Sequence, residues 1–173
     1  SKGVDIAADA AFDTRAGHFN LGLAASYVYK HQTQLTDESP VTENVSVRRS
    51  DGWAPRWKIV PRVSWEPREG INTMLVGRYV SRYVDSVALA NGPRAGTFPE
   101  MGDFWIFDIN ADLAVGRFWG QGTRYEGARL TLGVTNLFNN EPIFCMGCYE
   151  RAYDSSVYDI VGRTYYAEMR WNF

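Results

Sequence analysis

The chain is nearly without the residues from which metal and nucleophilic centres are built. It has 2 His and 2 Cys in 173 residues, and His18 and His31 stand far apart with no ligand spacing. No Ser-His-Asp set and no phosphate-binding glycine loop is present. Asp108 and Asp112 share one face of a strand, but so many other acids do the same that they do not stand out as a catalytic pair. The expectation is a protein that is not an enzyme and carries no cofactor or metal. A basic excess is also missing: the net charge is -2 and the charges are scattered, so no nucleic-acid partner is expected. No run reaches the roughly 18 consecutive apolar residues of a transmembrane helix. Any membrane role must then come from strands or an interfacial helix. The mean hydropathy of -0.31 leaves a barrel open, because half of each barrel strand faces the lumen and is polar.

What the chain has in quantity is alternation. Seven runs place apolar residues on one parity and polar or small residues on the other, the pattern of a half-buried strand. They are the runs of Val4 to Phe12, Phe19 to Tyr29, Trp57 to Trp65, Ile71 to Tyr83, Trp105 to Val115, Leu130 to Val134 and Tyr165 to Phe173. The apolar parity carries no charged residue, whereas the other carries Asp5, Asp9, Lys58, Arg62, Arg78, Arg82, Asp108 and further ions. A soluble sandwich would alternate in the same way.

Three features favour a membrane barrel over that sandwich. Connectors alternate between short (Thr14 to Gly17, Pro67 to Gly70, Phe118 to Glu126) and long (His31 to Arg56, Val84 to Asp103, Asn139 to Ile160), as periplasmic turns and extracellular loops do. The runs are about as long as the 9 to 11 residues a tilted spanning strand needs. Apolar-parity aromatics form two belts, with Phe12, Phe19, Trp65, Trp171 and Phe173 near the short turns and Tyr27, Tyr29, Trp57, Tyr79, Tyr83, Trp105 and Phe107 near the long loops. Aliphatic residues fill the space between, as the two interfaces and core of a bilayer demand. The expected fold is therefore all-β: antiparallel transmembrane β-barrel strands, about seven of them. Pro61 falls mid-strand and implies a bulge. An odd strand number does not close a single-chain bacterial barrel, and Ser1 follows neither an initiator Met nor a signal segment. The chain is expected to be an incomplete piece, residues 1–173 being the C-terminal part of a larger barrel. The rival is a small self-contained outer-membrane barrel, adhesin-like or a protease or lipase, closed by an eighth strand within Glu43 to Ser50.

Three stretches resemble the C-terminal part of TonB-dependent outer-membrane receptors. They are Gly127-Ala128-Arg129-Leu130-Thr131-Leu132-Gly133-Val134-Thr135-Asn136-Leu137-Phe138-Asn139, the pair Gly77-Arg78-Tyr79-Val80 and Phe107-Asp108-Ile109-Asn110, and the closing Tyr158-Asp159 through Val161-Gly162-Arg163-Thr164-Tyr165-Tyr166 to Trp171-Asn172-Phe173. The family has a barrel of about 22 strands with a plugged lumen. The resemblance implies the last seven strands of such a barrel in the outer membrane of a Gram-negative bacterium, without the N-terminal plug domain. It also implies outer-membrane lipid as surroundings, the remaining barrel strands and plug as partners, and a TonB complex reached through the missing N-terminal part. The barrel-assembly machinery would read Tyr165, Ala167, Met169, Trp171 and Phe173 as its signal. The function implied is active uptake of a scarce nutrient, a ferric siderophore first and an oligosaccharide, haem or cobalamin next.

Candidate ligand contacts are few. Arg78 and Arg82 lie on the lumen parity near the long-loop end, where two cations can hold an anion; pairing with neighbouring acids is the competing reading. The last long loop mixes Tyr149, Arg151 and Tyr153 with Cys145 and Cys148, and loops on rigid scaffolds carry function. The Cys-x-x-Cys spacing admits a redox or half-zinc site, but no second ligand pair supports either. A disulfide is the reading outside the cell.

Overall fold

The computed structural model describes the chain except residues 51, 88–94, 120–121, 123–125, 146–147, 149–151, 159–160 and 172–173. Seven long strands form one antiparallel sheet: β1 (Lys2–Thr14), β2 (Gly17–Lys30), β6 (Trp57–Arg68), β7 (Ile71–Val80), β10 (Phe104–Leu113), β11 (Arg129–Thr135) and β12 (Thr164–Arg170). They run in sequence order, each hydrogen-bonded to the next. The short strands β3 (Gln32–Thr33), β4 (Thr42–Glu43), β5 (Val47–Arg48), β8 (Tyr83–Asp85) and β9 (Glu100–Met101) lie in the long connections.

Alternation in the sequence becomes registered rows in the sheet. Ala10, Leu21, Val63, Leu75, Ile109, Val134 and Tyr165 are successive cross-strand partners over all seven strands. Aromatic rows bound this aliphatic one. Toward the short turns Phe12 stacks on Phe19 at 5.6 Å and Phe19 on Trp65 at 6.1 Å. Toward the long connections Tyr27 meets Trp57 at 4.5 Å and Tyr79 meets Trp105 at 4.8 Å. Among the described residues nothing is layered over this face: Val4 is 53% exposed, Ile6 45% and Met169 61%. A sandwich would bury these side chains against a second sheet, and among the described residues none is packed on them. Both outer strands, β1 and β12, are exposed along their length and do not pair with each other.

The opposite face is held by ions and small residues. Asp9, Gly22 and Arg62 are register partners on three strands, and the Arg62 guanidinium crosses Gly22 to pair with Asp9. A Cβ at Gly22 would lie 2.2 Å from Arg62 Nε, so only glycine leaves the path open. Tyr166 covers Gly133 in the same way.

The turns differ in detail from expectation. Thr14 Oγ1 accepts from Ala16 N and donates to the Gly17 carbonyl, and Gly17 takes a φ of 121°, a conformation natural to glycine. The third short connection contains the helix α1 (Val115–Trp119) rather than a plain turn. This helix docks on the neighbouring turn through the Arg117–Glu69 ion pair and by Phe118, over which the Arg68 guanidinium lies at 4.7 Å. Pro61 causes no bulge: the β6–β7 ladder omits the rows of Val60 and Pro61 and resumes at Arg62↔Val76 in unchanged register, and the bulge lies between Trp65 and Arg68. Gly77 makes room there, its Cα facing Pro61 and Phe107. No spanning eighth strand exists within 43–50, since β4 and β5 are two residues each.

Candidate functional site

The buried core lies in the long connections, not in the sheet. Tyr83, Met101, Phe104, Ile106, Cys145, Cys148 and Tyr158 form one cluster, with Trp53, Ile143, Tyr153 and Val157 packed around it. Phe104 and Ile106 alternate with Trp105 and Phe107 along β10, so they point to the charged face. The loops consequently fold inward over that face rather than standing straight up. We call this packed body the head.

Each long connection contributes a strand or an anchor to it. Val47 and Arg48 of the first pair in parallel with Val84 and Asp85 of the second, and Tyr83 pairs with Met101. Trp53 packs on Tyr83 at 4.4 Å, and Tyr158 of the third connection meets Phe104 edge-on at 4.6 Å. Asn44, fully buried, donates to Thr33 Oγ1 and to the Gly52 carbonyl. Burial raises the pKa of the Tyr83 and Tyr158 phenols, so both stay neutral.

One cation ties the three connections together. Arg48 Nη1 lies 3.3 Å from Asp85 Oδ1, and Arg48 Nε lies 3.0 Å from Asp154 Oδ2. Asp85 is fully buried and Asp154 nearly so. Two buried carboxylates without a cation would be costly, and Arg48 is the residue whose planar fork reaches both. Asp154 also accepts from Ser156 N at 3.0 Å. Cys145 and Cys148 are joined by a disulfide with an S–S length of 2.06 Å. Asp85 Oδ2 sits 3.5 Å from Cys145 Sγ, a packing contact, because a disulfide sulfur has no proton to donate.

The residues expected to bind ligand are dispersed. Arg78 keeps the charged face and pairs with Asp108 at 2.8 Å, beside Ile106 at the foot of the head. Arg82 does not join it. β7 ends at Val80, and Ser81 then takes the place of a ladder residue: its N–H donates to the Trp57 carbonyl and its Oγ accepts from Trp57 N–H. The alternation breaks at that point. Arg82 turns to the apolar-face rim, where it pairs with Asp103 at 2.7 Å and Glu100 at 3.3 Å. The same break sends Tyr83 into the head, fully buried, instead of into the aromatic belt. Asp103 accepts from Tyr79 Oη at 2.6 Å and from Arg82. The Tyr79 hydroxyl first and Arg82 second hold its carboxyl down to about 2.

Tyr153 packs on the head core, while Tyr149 and Arg151 lie outside the described residues. In the closing strand Tyr165, Ala167 and Met169 alternate on β12, with Tyr165 70% exposed. Trp171 follows the strand, and Phe173 lies outside the described residues. Arg48, Asp85 and Asp154 carried no sequence signal: Arg48 and Asp154 are 106 residues apart.

No family model and no curated protein matches the chain. Among solved structures it is similar to a mutant of the ferric enterobactin receptor of Pseudomonas aeruginosa, with 13% identity and a TM-score of 0.58. The match covers 95% of this chain and 21% of that one, so the chain spans about a fifth of its length. At that identity the likeness concerns the fold alone, an all-β sheet of the kind found in that receptor.

Proposed function

We propose that the chain is barrel wall and outer loops of a TonB-dependent receptor in a Gram-negative outer membrane, serving active uptake of a scarce nutrient rather than catalysis. The observation that carries this reading is the seven-stranded sheet whose apolar face is bare, uncharged and bounded by two aromatic rows. In water a contiguous apolar face of this extent is a liability; in a bilayer it is the lipid-facing wall. The open edges of β1 and β12 are where the remaining strands would pair, and the charged face looks toward a plug-filled lumen. The head then covers the lumen mouth from outside. The alternative of a small self-contained barrel is weaker, since it would need β1 and β12 to meet.

A ferric siderophore is the first ligand class on this reading, with support from the ferric enterobactin receptor to which the fold is similar; oligosaccharide, haem or cobalamin follow. Energy coupling would run through a TonB complex acting on the plug, and the alternating end of β12 would serve the assembly machinery. The test is uptake of radiolabelled ferric enterobactin by iron-starved cells with the gene intact, deleted and restored. Loss on deletion and return on restoration support the siderophore reading. Unchanged uptake of it and of the other three ligand classes would sink the transport role.

A further inference from the structure

The aromatic row beside the long connections is interrupted where the row beside the short turns is not. Phe12, Phe19 and Trp65 stack ring on ring at 14° and 16°. Beside the long connections Tyr27 is the register partner of Trp57, but the next place in that row falls to Ser81, whose N–H donates to the Trp57 carbonyl at 3.0 Å. Phe104 pairs with Val80, so Asp103, one residue earlier, stands opposite Ser81. Two rings are thus followed by a small residue and a carboxylate on the apolar side of the sheet. The gap is a hollow of about 510 Å³ lined by Trp57, Ile59, Tyr79, Asp103 and Trp105.

The lining fixes the charge and the kind of guest. Asp103 and Glu100 are set against one arginine, Arg82, so the rim cluster has one negative charge in excess. Ring faces attract cations for the same electrostatic reason. The acceptor sites of Asp103 are already taken: Oδ1 accepts from Tyr79 Oη at 2.6 Å and Arg82 N at 3.0 Å, and Oδ2 from Arg82 Nε at 3.2 Å and Nη2 at 2.7 Å. That fills about the four lone pairs a carboxylate offers, so a primary ammonium would find no acceptor there for its N–H groups. A quaternary ammonium has no N–H to satisfy and binds by charge and ring contact alone. Ile59, whose register partner is Ala25, continues the floor of the hollow into the uncharged face, which suits a guest with an apolar tail. The Arg82 side chain, 65% exposed, spends three N–H groups on the two acids, and the rest of its fork can donate to a phosphate beside the ammonium.

We propose that Trp57, Tyr79, Trp105 and Asp103 form a site for the quaternary ammonium head of a membrane lipid, a choline-type phospholipid whose phosphate meets Arg82 and whose chains lie along the apolar face. The site rests on the lipid-facing reading of that face and not on which nutrient is taken up.

The test uses the native full-length polypeptide carrying this chain, purified in a maltoside detergent and given equal amounts of phosphatidylcholine and phosphatidylethanolamine with the same acyl chains. Mass spectrometry of the intact complex counts the lipids retained. Phosphatidylcholine is retained about fivefold or more over phosphatidylethanolamine, and excess tetramethylammonium erases the preference. Trp57→Leu and Asp103→Asn each bring it near parity, Trp57→Phe keeps most of it, and Trp65→Leu in the other aromatic row leaves it unchanged. Failure to retain lipid, or retention without headgroup preference, overturns the site and leaves the lipid-facing wall standing. A preference that survives tetramethylammonium, or that Trp57→Leu does not alter, resides elsewhere on the molecule and overturns the site as well. The lipid-facing reading fails only if the apolar face shows no oxygen accessibility in vesicles, and the site then falls with it.

Discussion

The sheet and the head solve opposite problems with the same chain. In the sheet, aliphatic and aromatic residues face outward and stay exposed, and regularity comes from the ladder and its cross-strand rows. In the head, aromatic residues, a disulfide and two acids held by the half-buried Arg48 are packed away, and regularity is slight: β5, β8 and β9 are two or three residues each. On the proposed reading a bilayer supplies the solvent for the first, whereas the second must make its own interior. The difference teaches that exposure of apolar groups identifies the wall, and burial of charged groups identifies what the loops do.

The sharpest way to break this contrast is to remove the cation of the head. Arg48→Ala takes the shared cation from the buried carboxylates Asp85 and Asp154 and costs about 3 to 5 kcal/mol. Hydrogen exchange then rises at residues 83–85, 143–145 and 153–158, while amides of β2 and β7 keep their protection. Equal loss of protection in the sheet would mean that head and wall are one cooperative unit.

Next in size is a charge on the wall. Leu75→Arg, in the middle of the seven-residue apolar row, costs about 2 to 4 kcal/mol if that row faces the bilayer midplane. Folding into lipid vesicles, followed by heat-modifiable gel migration, registers the loss. Asn72→Arg, on the charged face, costs much less; equal effects would contradict the assignment of the two faces.

The disulfide is a smaller contributor. Cys145 and Cys148 close so short a loop that the chain-entropy gain is about 2 kcal/mol, and replacing both by serine lowers head protection by that order. The wall is unaffected, as exchange within β10 would report.

The smallest effect is that of pH at the rim. Asp103 has its carboxyl held down to about 2 by Tyr79 and Arg82. A depressed folded-state value means that the stability it contributes is full above its unfolded value of about 3.9 and lost as pH falls through about 2. The contribution of Asp103 to rim stability therefore stays flat from pH 7 to about 4, and Asp103→Asn removes the acid-side loss of that contribution. Asp103 is one-third exposed, so the amplitude is modest.

The wall was legible in the sequence because period-2 alternation is local: each run, such as Phe19 to Tyr29, carries its own evidence. The short connectors Thr14 to Gly17 and Pro67 to Gly70 were legible for the same reason, whereas the register shift between Trp65 and Arg68 was not. The head was not legible, because its organising contacts join residues far apart in the chain. The parallel pairing of Val47 with Val84 joins two loops that show no strand pattern, and nothing local to Arg48 tells it from Arg49. Arg82 and Tyr83 were assigned to the wrong faces for a physical reason that is also local: Ser81 satisfies Trp57 with both N–H and Oγ, and ends the alternation two residues before the sequence pattern does. Pro61 misled for the opposite reason, because the sheet absorbs it opposite Gly77 with no change of register.

The central claim is that the bare face of the sheet meets lipid. Its most direct test is spin-label accessibility scanned residue by residue from Ile71 to Val80 in the protein reconstituted into vesicles. The account predicts oxygen collision rates that peak at Ile71, Thr73, Leu75, Gly77 and Tyr79 and fall at the positions between, with a period of two. A uniform profile, or one with the peaks on Asn72, Met74 and Val76, would contradict it.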